Sequence, residues 1–284
     1  SFDSRILKRY RPTSIVGSVF KLLRLVRRLQ EEGVKPEELA IDKLVAGGES
    51  FAEESRKYLA EQWGCPVYNT YGSTEGTMCG ECTQMAGLHV PEDIVHLDVY
   101  DPRMESFVAD GECGRAVLTT LLPVGGKCGT LLINYDTEDT TAVISRNRCA
   151  CGRTHMRIHN PQREAETAWI YASALNRVDI EASVFQPENM PYLTGEYESF
   201  IKDGKTPDET VLLIGVECLD PDTCDKRLVE DSIVNRFLKY KHGLAREYND
   251  GNFRIAVSFS GPGGLELSRL KGRPKRLVDR RGTA

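Results

Sequence analysis

The chain has 284 residues and 40% apolar content, enough for one large or two ordinary domains with real cores, and two is the expected number. A formal net charge of −5 and a pI near 5.7 argue against a general nucleic-acid binder. No apolar run approaches the roughly 18 residues of a membrane span and no signal-peptide pattern opens the chain, so the expectation is a cytoplasmic protein that binds neither membrane nor nucleic acid.

In residues 19–29 apolar side chains recur at three and four positions before Gly33, which predicts a helix whose basic face meets solvent. Glu37 and Glu38 open a short second helical piece. Residues 41–46 read as a buried strand ending at Gly47-Gly48-Glu49. Residues 50–64 are predicted helical, with Ser50 and Glu53 as a capping pair. Val67-Tyr68-Asn69-Thr70-Tyr71 alternates like a strand and breaks into Gly72-Ser73-Thr74-Glu75-Gly76. Strand, helix and strand make a βαβ unit, so both glycine turns are expected at the carboxyl edge of one parallel sheet, where α/β proteins bind ligands. A hydroxyl beside a carboxylate at that edge suits a phosphate and its magnesium, although these ten residues alone are equally compatible with a surface turn and helix cap.

Residues 95–100, 114–120 and 131–135 carry strand patterns, and the 136–141 segment is expected to close the last of them. Gly125-Gly126-Lys127 is not a phosphate loop, because Cys128 replaces the required hydroxyl residue and the upstream glycine is missing. Beyond Arg163 a helix over 176–185, strands over 196–202, 210–217 and 252–259, and a long helix over 222–240 predict a small α+β sandwich. The expected division is 1–163 and 164–284, with a β-rich subdomain near 77–160.

Nine cysteines in a chain too large to need stapling suggest reduced thiols and one metal site. Cys82 and His89 with Cys149 and Cys151 could form a tetrahedral zinc site; Cys79 and Cys82 with the same pair could as well, and spacing leaves both open. Cys65, Cys113, Cys128, Cys218 and Cys224 read as packing thiols.

Gly47-Gly48-Glu49, Tyr71-Gly72-Ser73-Thr74-Glu75, the 135–139 segment, Arg163 and the basic 271–279 segment occur in an order that resembles the adenylate-forming enzymes, specifically their phenylacetate–CoA ligase-like branch, over essentially the whole chain. Cys149-Ala150-Cys151-Gly152-Arg153 through Asn160-Pro161-Gln162-Arg163-Glu164-Ala165-Glu166 looks most like the members that adenylylate the 8-hydroxydeazaflavin coenzyme, the coenzyme F-390 synthetases. The resemblance implies an α/β fold: the C-terminal part of a large adenylation domain, with a parallel sheet and a β-rich subdomain, followed by a small mobile α+β domain. It implies ATP and Mg²⁺, structural Zn²⁺ on Cys82, His89, Cys149 and Cys151, and an aromatic acceptor. That acceptor is the hydroxyl of a deazaflavin coenzyme or, alternatively, an aryl carboxylate with CoA; a homodimer is allowed for.

By the same resemblance Gly47 and Gly48 approach adenine, Tyr71 stacks on it, Thr74 bonds phosphate and Glu75 positions Mg²⁺. Asp139 accepts the ribose hydroxyls and Arg163 meets ribose or phosphate; Glu49, Gly72 and Ser73 complete the nucleotide-binding set. The catalytic lysine position falls on Arg273, with Lys271 or Lys275 as substitutes if the loop shifts. Ala165 stands at the family's hinge aspartate, and Ala172 at the glycine of the loop lining the CoA tunnel, which favours adenylyl transfer without thioester formation. The family's Ser/Thr/Gly-rich phosphate loop has no counterpart in these residues, so the chain reads as the C-terminal part of a catalytic unit. The rival reading is a nucleotide- or zinc-binding module without catalysis.

Overall fold

The computed structural model describes residues 4–74, 77–121, 130–206, 208–267 and 274–282. Glu75, Gly76, the 125–128 loop, Lys271 and Arg273 lie outside the described residues.

The first sheet is mixed. Strands Ser14–Gly17, Lys43–Gly47 and Val67–Ser73 run parallel, and Thr77–Glu81, Leu88–His89, Arg157–Ile158 and Val143–Ser145 continue the sheet antiparallel. The two crossovers are the helices Val19–Glu31 and Glu53–Trp63. In the first of these Val19, Leu22, Leu23, Val26 and Leu29 form the buried stripe that the 3–4 spacing predicts. Its basic face meets solvent at Lys21, Arg24 and Arg28, as expected, and also reaches later strands: Arg24 Nε donates to Glu196 at 2.7 Å and Arg27 Nη1 to Glu217 at 3.0 Å, both carboxylates being buried.

The second helix starts at Glu53 with Ala52 at its N-cap, so Ser50 does not cap it. The Ser50 hydroxyl is used elsewhere, donating to the Pro161 carbonyl at 2.8 Å.

A second, antiparallel sheet takes the order Gln162–Arg163, Tyr135–Thr141, Gly114–Thr120, Val95–Asp101, Ser106–Phe107. The strand expected over 131–135 is displaced. Leu131 and Ile133 are exposed, and the ladder instead begins at Tyr135 and runs through the polar residues to Thr141. Burial and hydrogen-bond register, not local hydrophobicity, decide that strand.

From Thr167 onward come the hairpin Thr167–Ile170/Ser173–Asn176, the helix Arg177–Val184, and a four-stranded sheet ordered Phe253–Ser260, Thr210–Cys218, Leu193–Asp203, Val278–Asp279. Asn176 and Asp179 form a capping box on the Arg177–Val184 helix. The long helix is Lys226–Tyr240, and a further helix, His242–Asn249, follows it. One apolar core joins the helices beside the parallel sheet to this later part, with Leu23, Leu29, Leu59 and Trp63 in the same cluster as Ile180, Phe185, Tyr197 and Phe237. A second core lies between the first two sheets, built from Cys79, Leu88, Leu97, Leu118, Met156 and Ile158.

The basic C-terminal segment is folded into the last sheet. The Arg276 guanidinium lies 3.9 Å from the Tyr197 ring centroid and reaches Glu196, and Arg280 covers Phe200 at 3.8 Å. No described helix is long and apolar enough to cross a membrane.

Candidate functional site

The parallel strands Lys43–Gly47 and Val67–Ser73 pair with Gly47 opposite Thr70, so both turns leave the same sheet edge. A β-carbon at Gly47 would stand 2.5 Å from the Thr70 side chain and 2.8 Å from its carbonyl oxygen. Glycine is therefore required there by the neighbouring strand itself. Gly48 has φ +78°, a left-handed conformation that turns Glu49 and Ser50 back across the edge.

A cavity of about 250 Å³ opens at this edge, lined among others by Gly48, Glu49, Tyr71, Thr74, Asp139 and Arg163. A second of about 490 Å³ shares Gly48, Glu49, Thr70 and Gly72 with it and is walled on its far side by Val16, Phe20 and Met78. The neighbouring cavities differ in character: acids and hydroxyls around one, and the apolar Val16, Phe20 and Met78 together with Ser18 and Lys21 around the other.

Tyr71 and Asp139 face the same cavity and touch. The phenol donates to Asp139 Oδ2 at 2.7 Å. Burial first, and then the neighbouring carboxylate, raise the Tyr71 pKa above its ordinary value, which keeps the phenol a donor. Asp139 reaches the site because its strand pairs with the Gly114–Thr120 strand and with Gln162–Arg163, where Arg163 stands directly opposite it. The Arg163 Nε lies 3.6 Å from Asp139 Oδ1, and its side chain is 61% exposed. Ser73 and Thr74 line the same cavity at the mouth of the strand. The third candidate for the lysine position, Lys275, is engaged with Glu266.

Sequence reasoning missed Ser50, Thr70 and Glu166 as lining residues. It also missed Arg177 behind them, whose Nη1 donates to Glu49 Oε2 at 2.8 Å with both side chains nearly buried. An arginine at the first position of a helix carries no local signal of such a contact.

The second constellation stands at the far end of the first sheet. Cys82, His89, Cys149 and Cys151 have one ligand atom each within 4.8 Å of all the others. Cys82 Sγ lies 3.8 Å from Cys149 Sγ, and Cys151 Sγ lies 3.6 Å from His89 Nε2. A tetrahedron with metal–sulfur bonds of about 2.3 Å has edges of about 3.8 Å, so the donor set fits a four-coordinate zinc ion. His89 Nδ1 faces the His155 carbonyl at 3.3 Å, the outer contact that fixes a metal-binding imidazole with Nε2 inward. Cys79 is not in the group: it is fully buried in the second core, with Thr77 Oγ1 at 3.6 Å. Strand parity explains the choice, because Cys79 points into the core while Cys82 lies just beyond the strand end. Among the cysteines read as packing thiols, Cys113 is exposed and Cys128 lies outside the described residues, whereas Cys65 and Cys218 are buried.

Searched against protein-family models, the chain matches none. It is 27% identical over 286 residues to the phenylacetate–coenzyme A ligase of Thermus thermophilus, covering 97% of this chain and 62% of that enzyme. The chain is thus similar to a phenylacetate–CoA ligase over nearly all of its own length. The phenylacetate–coenzyme A ligase of Pseudomonas putida matches 49% of it at 24% identity. Among solved structures, a 2-hydroxyisobutyryl-CoA ligase in its postadenylation state superposes with a TM-score of 0.77 at 20% identity, over 97% of this chain and 56% of that one. A benzoate CoA ligase of Burkholderia xenovorans gives 0.60 at 15% identity, over 96% and 52%. The fold of this chain is thus the mixed α/β fold of adenylate-forming ligases, and the chain spans 62% of the length of the Thermus enzyme it matches.

Proposed function

We propose that the chain carries the nucleotide-gripping and C-terminal part of an ATP-dependent adenylate-forming ligase, divided at residues 163/164. The observation that carries this reading is the joint placement of Tyr71, Thr74 and Asp139 around one cavity at the carboxyl edge of the parallel strands. ATP would lie with adenine on the Tyr71 ring, ribose hydroxyls donating to Asp139 and phosphates at Ser73 and Thr74. Charge-assisted bonds of the ribose kind are worth about 1.5–3 kcal/mol each.

An acceptor oxygen then attacks the α-phosphorus, its bond forms as the bond to the β-phosphate oxygen breaks, and pyrophosphate leaves. Magnesium bound with the phosphates would offset the charge on that leaving group, with Glu75 as its proposed protein partner. The adjoining cavity, with Val16, Phe20 and Met78 at its far wall, suits a flat apolar acceptor next to the reacting phosphorus.

Of the two acceptors, a small carboxylate with CoA has the broader support, since the similar enzymes are named for phenylacetate, benzoate and 2-hydroxyisobutyrate. In that chemistry the CoA thiol attacks the acyl carbonyl and AMP leaves. The hydroxyl of a deazaflavin coenzyme is the second reading, favoured by the 149–166 segment and by Ala172 at the hairpin tip. The Cys82, His89, Cys149 and Cys151 group would hold zinc as a closed four-ligand staple with no position for substrate.

The experiment mixes protein, Mg²⁺ and ATP with each acceptor, with and without CoA, and measures pyrophosphate. Carboxylate-dependent pyrophosphate followed by a CoA thioester supports the first reading, and deazaflavin-dependent pyrophosphate without thioester supports the second. ATP binding with no acceptor-dependent pyrophosphate leaves a binding module.

A further inference from the structure

The helix Val19–Glu31 carries four basic side chains, and three of them have carboxylate partners: Arg24 on Glu196 at 2.7 Å, Arg27 on Glu217 at 3.0 Å and Arg28 on Glu32 at 2.9 Å. Lys21 has none among the described residues. It stands in the first turn, where the helix's own N–H groups already concentrate positive charge, so that acids are favoured there and a lysine is not. This turn holds no acid. Its N-cap residue is Ser18, an ordinary choice, because a serine there accepts a bond from the second or third helical N–H. Ser18 makes no such bond, and its hydroxyl is buried without a hydrogen-bond partner among the described residues. One turn thus breaks two local rules with no compensating contact in the described chain, a combination that marks functional sites.

Both residues border one space. Ser18 and Lys21 are three positions apart, hence neighbours on one side of the helix, and both line the cavity of about 490 Å³ but not the smaller nucleotide cavity. Gly48, Thr70 and Gly72 form the end that the two cavities share. Glu49 is the one acid on the described lining of the larger cavity; it stands at that shared end and accepts from Arg177 at 2.8 Å. Away from the shared end the lining offers the apolar Val16, Phe20 and Met78 beside the Lys21 ammonium, the Ser18 hydroxyl and the positive end of a helix of 13 residues. Those groups together fit an apolar body that carries an anionic substituent.

We infer that Lys21, beside Ser18 at the head of the Val19–Glu31 helix, is a specificity-determining residue that binds an anionic group carried by the acceptor at a position remote from its reacting oxygen. This rests on the adenylation reading above, in which the larger cavity holds the acceptor. The substrate class it selects is a flat apolar molecule with two polar ends: an oxygen that meets the α-phosphorus at the shared end, and a carboxylate, sulfonate or phosphate that meets the ammonium at the other. An acceptor without the second charge leaves Lys21 facing the positive end of its own helix.

The test measures acceptor-dependent pyrophosphate at saturating ATP and Mg²⁺ with matched acceptors that differ only in a remote anion. One pair is phenylacetate and 4-sulfophenylacetate; the other is an 8-hydroxydeazaflavin with a neutral side chain and the same ring with a phosphorylated one. A charge-assisted contact is worth about tenfold or more in affinity, so wild type is expected to show at least a tenfold lower KM for the anionic member of the pair it uses. K21M keeps the apolar stem without the charge and is expected to bring the two members to within about twofold, with kcat and the KM for ATP changed less than threefold. K21R is expected to keep the preference and K21E to invert it. Lys21 is exposed, so these variants are expected to melt as wild type does. Pyrophosphate made by wild type with no preference for the anionic member overturns the inference while leaving the ligase reading in place. A preference that K21M or K21E retains in full also overturns it. No pyrophosphate from any of the four acceptors removes the ligase reading itself, and this inference with it.

Discussion

Replacing Tyr71 by phenylalanine isolates one atom of the proposed nucleotide grip. The ring and its contact with the second core remain, and only the hydroxyl that donates to Asp139 at 2.7 Å is lost. Asp139 is 7% exposed, so its carboxylate cannot simply recover that bond from water. A hydrogen bond to a charged group is worth about 1.5–3 kcal/mol. The other flank offers little compensation, because Arg163 is largely exposed and 3.6 Å away, a pair worth at most about 1 kcal/mol. At about 2–4 °C per kcal/mol for a chain of this size class, Y71F is expected to melt about 3–12 °C below wild type. Saturating ATP with Mg²⁺ brings the ribose hydroxyls to the same carboxylate, so the gap is expected to shrink by at least half. Differential scanning fluorimetry with and without nucleotide reads both numbers. A gap under 1 °C without nucleotide refutes the bond's energetic role, and a gap that ATP leaves unchanged refutes the placement of ribose on Asp139.

Other expectations follow from the same contacts. Glu181→Ala removes the acceptor for Ala52, Ser55 and Tyr197 and strips Arg177 of a buried counter-charge, so a loss of about 3–5 kcal/mol is expected in urea unfolding, and a loss under 1 kcal/mol would contradict the buried network. Protein purified without chelator is expected to hold one equivalent of zinc, and C149S to lose both the metal and thermal stability; less than half an equivalent in wild type rejects the site. Burial raises the pKa of Tyr197 above its ordinary value, and burial with the Asp139 bond does the same for Tyr71. The neutral phenols therefore contribute stability that is fully present below about pH 10 and is lost as pH rises through the raised folded values. Absorbance at 295 nm is expected to show part of the eleven tyrosines ionising only as the protein unfolds, whereas complete titration near pH 10 with native circular dichroism would contradict it.

The βαβ unit was legible because each piece carries its own signal: the apolar stripe of residues 19–29, the glycines closing the 43–47 strand, and Gly64 in a left-handed conformation ending the second helix. The strand bearing Asp139 was not legible in its bounds. The hydrophobic run before it faces solvent, and the polar run within it is held by ladder bonds to residues some twenty positions away. Cysteine spacing could narrow the candidate metal ligands to two sets, but choosing His89 over Cys79 depends on which face of a strand each residue occupies. The Glu49–Arg177 pair spans 128 residues and depends on the docking of two units, so nothing local announces it.

The central claim is that one ATP lies between the Tyr71 turn and Asp139. A crystal structure of this chain with a non-hydrolysable ATP analogue and Mg²⁺ tests it most directly. The expected result is adenine stacked on Tyr71, both ribose hydroxyls on Asp139 and the triphosphate at Ser73 and Thr74. Nucleotide bound at any other place, with Tyr71 and Asp139 still bonded only to each other, would contradict it.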